Sequence, residues 1–354
     1  MIENYKAQLK VLTPIIINTG DSFDFGEIYP IESKVTKYPV EFYKGYQINT
    51  QKIFVGISSA KKKFFTDQIA NASFQRDNEK LRAVRKELID DSTKEKVRIP
   101  CRFLPKAAYD LSQKPLQKVD KVMQMESTSY TYIPGSSVKG ALRTAVLEGL
   151  RQKCNLINYP REKNKDFEIR VASRGKEDYF KVCNDMFRYL KVSDFSFSGI
   201  DGIQYIGKIG DDEEMPIYSS MTNAFILKGE PVVATGTISI DSRFYDLLGL
   251  NLSNILRFIS DFFFSPFESK KVEDKMKRKV MQPIVDYMNK DESNDVYFRL
   301  GHYIGIQNYT FNVEQPITKR NHNPRINMEG GSRVICIESG IVPGICMLNL
   351  KREK

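Results

Sequence analysis

The stretch YIPGSSVKGALRTAVLEGL carries the residue types best suited to bind an anion. Its Pro-Gly dipeptide and the helical period of the apolar residues that follow predict a loop entering a helix, with Ser136 or Ser137 as the N-cap. Lys139 and Arg143 are one turn apart near the helix start, where the helix dipole is already positive and an unanswered cation is unfavourable. With Gly135 and the two serines as hydrogen-bond donors, the pattern favours phosphate binding. The alternative is an ordinary amphipathic helix whose cations meet only solvent.

Two further groups of residues are candidates for contact with a nucleic acid. Tyr130 and Tyr132 lie on the same side of the predicted extended segment STSYTYIPG, where tyrosines stack on bases or, more commonly, pack within a sheet. The loop PITKRNHNPRIN brings Lys319, Arg320 and Arg325 together, either to neutralise phosphates or as a polar surface loop. Tyr132 and these three cations are therefore candidate nucleic-acid-binding residues, alongside the helix start.

Residue patterns for catalysis or for metal and cofactor binding are scarce. The sequence contains two histidines, so a general base for RNA cleavage would have to be His302 or His322. Neither has a metal-ligand spacing with Cys336 or Cys346, and the sequence has no nucleophile motif and no P-loop spacing. Asp194, in VSDF, is assigned no catalytic role. We therefore expect no cofactor and no metal, and the two histidines are catalytic candidates only if the protein is a ribonuclease.

The composition is that of a folded protein with an anionic partner. Of the 354 residues, 41% are hydrophobic and 28% are charged, and the net charge is +10. This charge favours nucleic acid over a membrane surface as the binding partner. The alternative is that it reflects only a solvated basic surface. The five cysteines are odd in number and form no CxxC motif, which argues against a disulfide framework and a zinc ribbon. With no signal-peptide pattern and no membrane-length apolar run, we expect a cytoplasmic protein without membrane contact.

The elements that position these residues are a mixture of strands and helices. YKAQLKVLTPIII, RYLKVSDFSF and AFILKGEPVVATGTISI predict strands, NEKLRAVRKELIDD predicts a helix, and GIDGIQYIGKIGDDEEMP predicts a hairpin or loop. This order favours an α+β fold with an antiparallel sheet. We expect a core from residues 1–45 and 129–250, a helical insertion at 46–128 and a helical segment at 251–295. Strands and glycine-containing elements at 296–354 would complete the core or form a second, degenerate unit.

Four stretches resemble the RAMP superfamily of CRISPR RNA-binding proteins. YIPGSSVKGALRTAV resembles that family's loop-helix motif, and LTPIIINTGD is similar to its first strand and glycine turn. RLGHYIGIQNYT and GIVPGICML are similar to its C-terminal glycine-containing elements. With its length and helical insertion, the chain looks most like the fifth subunit of Csm-type (type III-A) CRISPR effector complexes. It departs from the family at Ile16 and Asn18, where members often have a histidine and a glycine, so no role of that histidine is available here.

The resemblance implies an RRM-like (ferredoxin-like) βαββαβ core, elaborated by helical insertions, and a non-catalytic RNA-binding role. Such subunits contact the 3′ part of the crRNA at one end of the complex and pack on the last backbone RAMP subunit. They support crRNA 3′-end maturation by recruiting or positioning host nucleases. On this reading Lys139 and Arg143 neutralise crRNA phosphate, and Gly135, Ser136 and Ser137 donate hydrogen bonds to it. Two alternatives stay open: a RAMP endoribonuclease that processes precursor crRNA, and a backbone protomer present in several copies.

Overall fold

The fold is built from two β-sheets and the helices packed on them. The computed structural model describes residues 1–24, 27–35, 40–48, 50–92, 98–114, 116–156, 170–171, 186–209, 217–264, 277–290, 295–301 and 340–353. Its strands are β1 (Ile2–Val11), β2 (Asn18–Ser22), β3 (Ile28–Val35), β4 (Phe42–Ile48), β5 (Arg98–Phe103), β6 (Val119–Val122), β7 (Tyr132–Ile133), β8 (Leu190–Val192), β9 (Phe195–Phe197), β10 (Tyr205–Ile209), β11 (Ile217–Met221), β12 (Val233–Asp241), β13 (Val296–Arg299) and β14 (Ile345–Arg352). Its helices are α1 (Thr50–Gly56), α2 (Ser59–Phe74), α3 (Asn78–Ser92), α4 (Pro105–Gln113), α5 (Gly135–Lys153), α6 (Phe225–Lys228), α7 (Ser242–Leu248), α8 (Leu252–Phe264) and α9 (Gln282–Lys290).

The first sheet has the strand order of a ferredoxin-like fold. Its order is β13-β14-β1-β12-β9-β7, with β8 also paired to β12, and its pairs are antiparallel. Along the chain, β1, α5, β8 with β9, β12, α8 and β14 form a βαββαβ unit in which β14 and β12 flank β1. The predicted α+β class with an RRM-like core and an antiparallel sheet is therefore confirmed.

The alternation predicted for the first strand decides which face of this sheet is covered. Tyr5, Ala7, Leu9 and Val11 are buried, and the residues between them are exposed or half-buried. Apolar side chains of α5 and α8, among them Leu142, Val146, Ile255 and Ile259, lie over the buried face of the sheet. There they pack against apolar side chains of β8, β12 and β14. The helices therefore cover one face of the sheet. The other face is polar and exposed around Lys6, Thr237 and Lys351, but it is buried at Met347 and Tyr297 near the β13 edge.

The second sheet draws strands from a region predicted to be helical. Its order is β2-β6-β11-β10-β5-β4-β3, and two of its pairs, β5 with β10 and β6 with β11, are parallel. Residues 46–128 contain α1 to α4, but they also contain β5 and β6, whose residues Cys101, Phe103, Val119 and Val122 are buried. These two strands are short and lie beside Lys-rich helices in the sequence, so their alternation of apolar and polar residues is hard to recognise. The boundaries of the predicted domains stay predictions.

Two segments near the middle of the chain show where local patterns succeed and fail. GIDGIQYIGKIGDDEEMP, predicted as a hairpin or loop, contains a 3-10 turn and β10, which pairs antiparallel with β11 beyond it, and residues 210–216 lie outside the described residues. The first half of AFILKGEPVVATGTISI, predicted as a strand, is instead the helix α6, and only β12 is a strand. One helical turn buries Ile226 and Leu227 together, and Gly229 at φ 77° ends it in the left-handed conformation.

The second half of α5 is held by a buried ion pair and a close helix contact. Arg151 donates from Nε to Glu148 Oε2 at 2.9 Å and from Nη2 to Glu148 Oε1 at 2.7 Å. Both residues are nearly inaccessible, since 5% of the surface of Glu148 and 6% of that of Arg151 is exposed. At Gly149 a Cβ atom would lie 2.2 Å from Phe258 Cγ, so glycine lets α8 approach closely. The ion pair satisfies the two charges within α5, and the contact at Gly149 sets how closely α5 and α8 pack.

Candidate nucleic-acid interface

Helix α5 begins differently from the prediction. Pro134 is the N-cap and makes no side-chain cap bond, so the prediction that Ser136 or Ser137 caps the helix is wrong. The Gly135 amide instead donates to Asp194 Oδ1 at 2.8 Å, which places a carboxylate at the positive end of the helix. Because this amide is already used, the phosphate donor predicted at Gly135 conflicts with the structure. An anion at this helix would have to bind along its side rather than on its axis.

Gly135 is a packing residue at this junction. A Cβ atom there would lie 2.4 Å from Val192 O and 2.5 Å from Ser193 O, both of them backbone atoms that cannot rotate away. The glycine therefore lets α5 begin directly against the link between β8 and β9. Its small size, rather than a contact with a ligand, explains this part of the PGSS motif.

We expect Gly135→Ala to destabilise the protein by about 1–3 kcal/mol, because the added methyl group overpacks a rigid backbone contact. Gly140, on the same helix, is the matched control, since it is exposed and has nothing within 4 Å of its Cβ position. Gly140→Ala is expected to stabilise by about 0.5–1 kcal/mol through helix propensity. Urea unfolding of both variants measures the difference, and equal unfolding midpoints would contradict the packing role of Gly135.

The outward side of α5 presents a small basic surface. Ser136, Lys139, Gly140 and Arg143 are spaced at i, i+3, i+4 and i+7 and so share one face, which we call the α5 basic face. Ser136 and Gly140 are exposed, Lys139 and Arg143 are half-buried, and Ser137, beside this face, is also half-buried. The Lys139 ammonium makes no ion pair with any residue that the structure describes. The structure therefore brings both predicted cations and Ser136 together on one accessible side of the helix.

Arginine and aromatic side chains extend the α5 basic face to the edge of the first sheet. The Arg143 guanidinium carbon lies 5.4 Å from the centre of the Phe187 ring. Tyr189 lies two residues further along the chain, and both Arg188, at 4.8 Å, and Arg243, at 4.5 Å, are placed over its ring. Arg188 also donates to the Tyr189 hydroxyl and Arg243 donates to Asp241, so these contacts hold both guanidinium groups in fixed positions.

Sequence reasoning missed Arg188 and Arg243. Arg188 is exposed in the turn before β8, and Arg243 is brought to Tyr189 from α7 because β8 pairs with the end of β12. Asp241 accepts from Arg243, and this bond holds the pKa of that carboxyl well below its usual range. The stretch FRYLK, with cations beside aromatic residues, was the available signal for Arg188. The stretch SRFYD contains the same kind of signal for Arg243, but the pairing of its guanidinium with Tyr189 depends on the β8–β12 contact.

The predicted tyrosines lie at the junction of the two sheets. Tyr132 is half-buried in β7 opposite Ser196, and its hydroxyl donates to Met123 Sδ at 3.8 Å. Since Ile133 is buried on the helix side, Tyr132 lies on the polar face of the first sheet. Tyr130 packs on Gly202, where a Cβ atom would lie 2.7 Å from the tyrosine Cβ and Cγ. Tyr130 is therefore a packing residue, whereas Tyr132 is accessible from the polar face.

The other predicted site residues lie outside the described part of the chain. These are the cations Lys319, Arg320 and Arg325 of the basic loop and the two histidines, His302 and His322. Their roles stay predictions.

Two of the three described cysteines are core residues, and the third, Cys154, is half-buried at the end of α5. Cys101 and Cys346 are buried, and burial raises the pKa of both thiols. Across the described ranges, no group of three or more His, Cys, Asp or Glu residues is arranged to hold a metal ion. Within the same ranges, no helix has the length and apolar character needed to cross a bilayer.

The ferredoxin-like sheet and the loop-helix at Gly135 are the features of a RAMP protein, and the RAMP superfamily model matches residues 8–323. The chain belongs to the RAMP superfamily. Its fold is similar to that of a chain in the cryo-EM structure of a Csm–crRNA–target RNA ternary complex of a type III-A CRISPR-Cas system, with a TM-score of 0.61 and 15% identity over 98% of this chain and 100% of that one. It is also similar to the crystal structure of T. onnurineus Csm5, with a TM-score of 0.56 and 16% identity over 83% of this chain and 89% of that one. No curated protein matches it.

Proposed function

We propose that this protein is a non-catalytic crRNA-binding subunit of a type III-A (Csm) CRISPR interference complex. It occupies the crRNA 3′-end side of the complex, packs on the backbone RAMP subunit and supports 3′ maturation of the crRNA, with host nucleases doing the cutting. Its place of action is the cytoplasm. Its biological role is antiviral defence, carried out by the assembled ribonucleoprotein.

One observation carries most of this proposal. The fold extends over 98% of this chain and over the whole of a chain that belongs to a Csm–crRNA–target RNA complex. The Csm5 structure supports the same assignment over most of its length. Agreement over full length argues for a shared architecture that includes the insertions, and not only for a shared ferredoxin-like core.

The chemistry of the α5 basic face supports RNA as the ligand. Lys139 has no ion-pair partner among the described residues, and Arg143 lies beside it with its guanidinium placed on Phe187. Arg188 continues the cationic edge towards β8, while Arg243, which is paired with Asp241, helps to hold the Tyr189 ring between the two guanidinium groups. A line of cations fixed on aromatic rings suits a phosphate backbone, because repeated charges can each meet a phosphate and release counterions.

The proposal predicts a defect in crRNA length when the protein is missing. In host cells that lack this chain, crRNA recovered with the remaining complex should retain longer, unprocessed 3′ ends. In cells that carry a tagged copy, the complex should contain one copy of the chain. Denaturing gels of the extracted crRNA and native mass spectrometry of the complex measure the two outcomes. Normal crRNA lengths in the deletion strain would contradict the maturation role.

The ribonuclease alternative is tested on the purified chain. On our proposal, repeat-containing precursor RNA incubated with the protein and a metal chelator stays intact. Cleavage that disappears in His302→Ala or His322→Ala would instead identify an endoribonuclease with a histidine general base. Several copies per complex would favour a backbone protomer.

A further inference from the structure

The polar side of the first sheet is a second surface with the character of a ligand-binding site. We call it the open face. Its described members are side chains of five strands that point away from α5 and α8: Asn4, Lys6 and Gln8 on β1, Thr235, Thr237 and Ser239 on β12, Asn349 and Lys351 on β14, Lys191 on β8, and Ser196 on β9. Lys6, Lys191, Lys351, Thr235 and Thr237 are exposed.

The strand register places two lysines side by side at the centre of the open face. Lys6 is directly opposite Lys351 on one side and Thr237 on the other. Directly opposed residues of an antiparallel pair have Cβ atoms about 4.5–5.5 Å apart, and like charges at this position destabilise a sheet. The sequence of β1 alone gives no sign of this pairing, because the two lysines are far apart along the chain.

These lysines differ from other cations on the same strands. Lys10 donates to Asp295 at 2.6 Å, and Arg352 donates to Glu3 at 2.7 Å, so both are neutralised within the protein. Lys6, Lys191 and Lys351 make no ion pair with any described residue. The acidic side chain nearest to them along β14 is the exposed Glu353, just past the end of the strand. Glu353 lies on the same face two residues beyond Lys351, so the described residues place one carboxylate beside two lysines at this point of the sheet.

The neighbours of the two lysines indicate which anion would fit. One row across the sheet runs Tyr132, Ser196, Thr235, Gln8 and Asn349. At the usual strand spacing this row spans about 19 Å, and its hydroxyl and amide groups both donate and accept hydrogen bonds. Such a row suits ribose hydroxyls, which both donate and accept, better than the carboxylates of a protein, which only accept. At its end Tyr132 offers a ring on which a base can stack.

We infer that the open face binds single-stranded RNA, with Lys6 and Lys351 each meeting a phosphate and Tyr132 stacking one base at the β7 edge. The inference rests on the proposed RNA-binding function and adds a contact surface separate from the α5 basic face, which lies on the other side of the sheet. Lys191 lies at the β8 edge, where the two surfaces meet. RNA bound to both surfaces would pass around this edge.

The test is the salt dependence of RNA binding by the full-length protein. The variant Lys6→Ala with Lys351→Ala is compared with a matched control, Lys63→Ala with Lys86→Ala, which removes the same charge from exposed positions on α2 and α3. The probe is a fluorescein-labelled, unstructured single-stranded RNA. Each phosphate contact contributes about 0.7 to the slope of log K against log salt, so the sheet variant should lose about 1.4 in slope and roughly tenfold in affinity at 0.15 M salt, with the control unchanged.

The fold and the alternatives are checked in the same series. The sheet variant should unfold at the same or a slightly higher urea concentration than the parent, because a like-charge pair is removed. If the salt slope of the sheet variant equalled that of the control, the inference would be overturned. The proposed function would still stand if Lys139→Ala with Arg143→Ala reduced RNA binding. Unchanged RNA binding together with loss of a protein subunit from the purified complex would also overturn it, because the open face would then be a protein interface. A parent protein without salt-dependent RNA binding would overturn both proposals.

Discussion

Replacing Lys139 and Arg143 together with alanine is expected to weaken single-stranded RNA binding roughly 60-fold at 0.05 M salt and roughly tenfold at 0.15 M. The reason is counterion release, since two lost phosphate contacts lower the slope of log K against log salt by about 1.4. Both residues lie on the accessible side of α5, away from the buried stripe that packs on the sheet. Anisotropy titrations with labelled RNA at four or more salt concentrations give the slope.

Two controls make this result specific. Arg143→Lys keeps the charge but alters the placement on Phe187, so it should retain the slope while losing some affinity. Unfolding midpoints report whether the double variant is folded, because the Arg143–Phe187 contact is worth about 0.5–1 kcal/mol at an exposed site. A folded double variant with the parent's salt slope would show that RNA does not meet the α5 basic face.

Glu148→Ala is expected to destabilise the protein by about 3–5 kcal/mol, the usual cost of removing one partner of a buried ion pair. The substitution removes the two carboxylate oxygens that accept from Nε and Nη2 of Arg151, and it also removes the acceptor for Gln152 at 2.9 Å. Water reaches this site poorly, so solvent replaces those bonds only in part. Urea unfolding followed by circular dichroism measures the loss.

The companion variant is Glu148→Leu with Arg151→Met, which removes both charges and keeps the volume apolar. It should be more stable than Glu148→Ala, since no buried charge loses its partner. If the double variant were instead the less stable of the two, the ion pair would not be the cause of the destabilisation.

The parts of the fold that the sequence predicts are those set by local periodicity. The alternation in β1 and the buried stripe Val138, Leu142, Ala145 and Val146 in α5 are both visible in the amino-acid order, and the structure confirms both. These patterns survive because each depends on a single element facing one core. The same patterns placed Lys139 and Arg143 on the outward side of the helix.

The parts that the sequence does not predict depend on contacts between distant segments. Asp194 meets the Gly135 amide only because β9 pairs with β7, and no local rule indicates that a strand-end carboxylate takes the place of a serine cap. In the same way, Lys6 meets Lys351 only through the β1–β14 register. Such juxtapositions are properties of the sheet order, which a single sequence leaves undetermined.

The pairing of β1 with β14 has a consequence for how the chain reaches its native state during translation. Val11 cannot meet Cys346 until that residue has been synthesised, an interval of roughly 20–70 s at 5–20 residues per second. Even β12, on the other side of β1, is made long after it. The nascent β1 is thus an unpaired strand with a row of apolar side chains, and the lysines on its other side are the kind of charge that discourages pairing with another nascent chain.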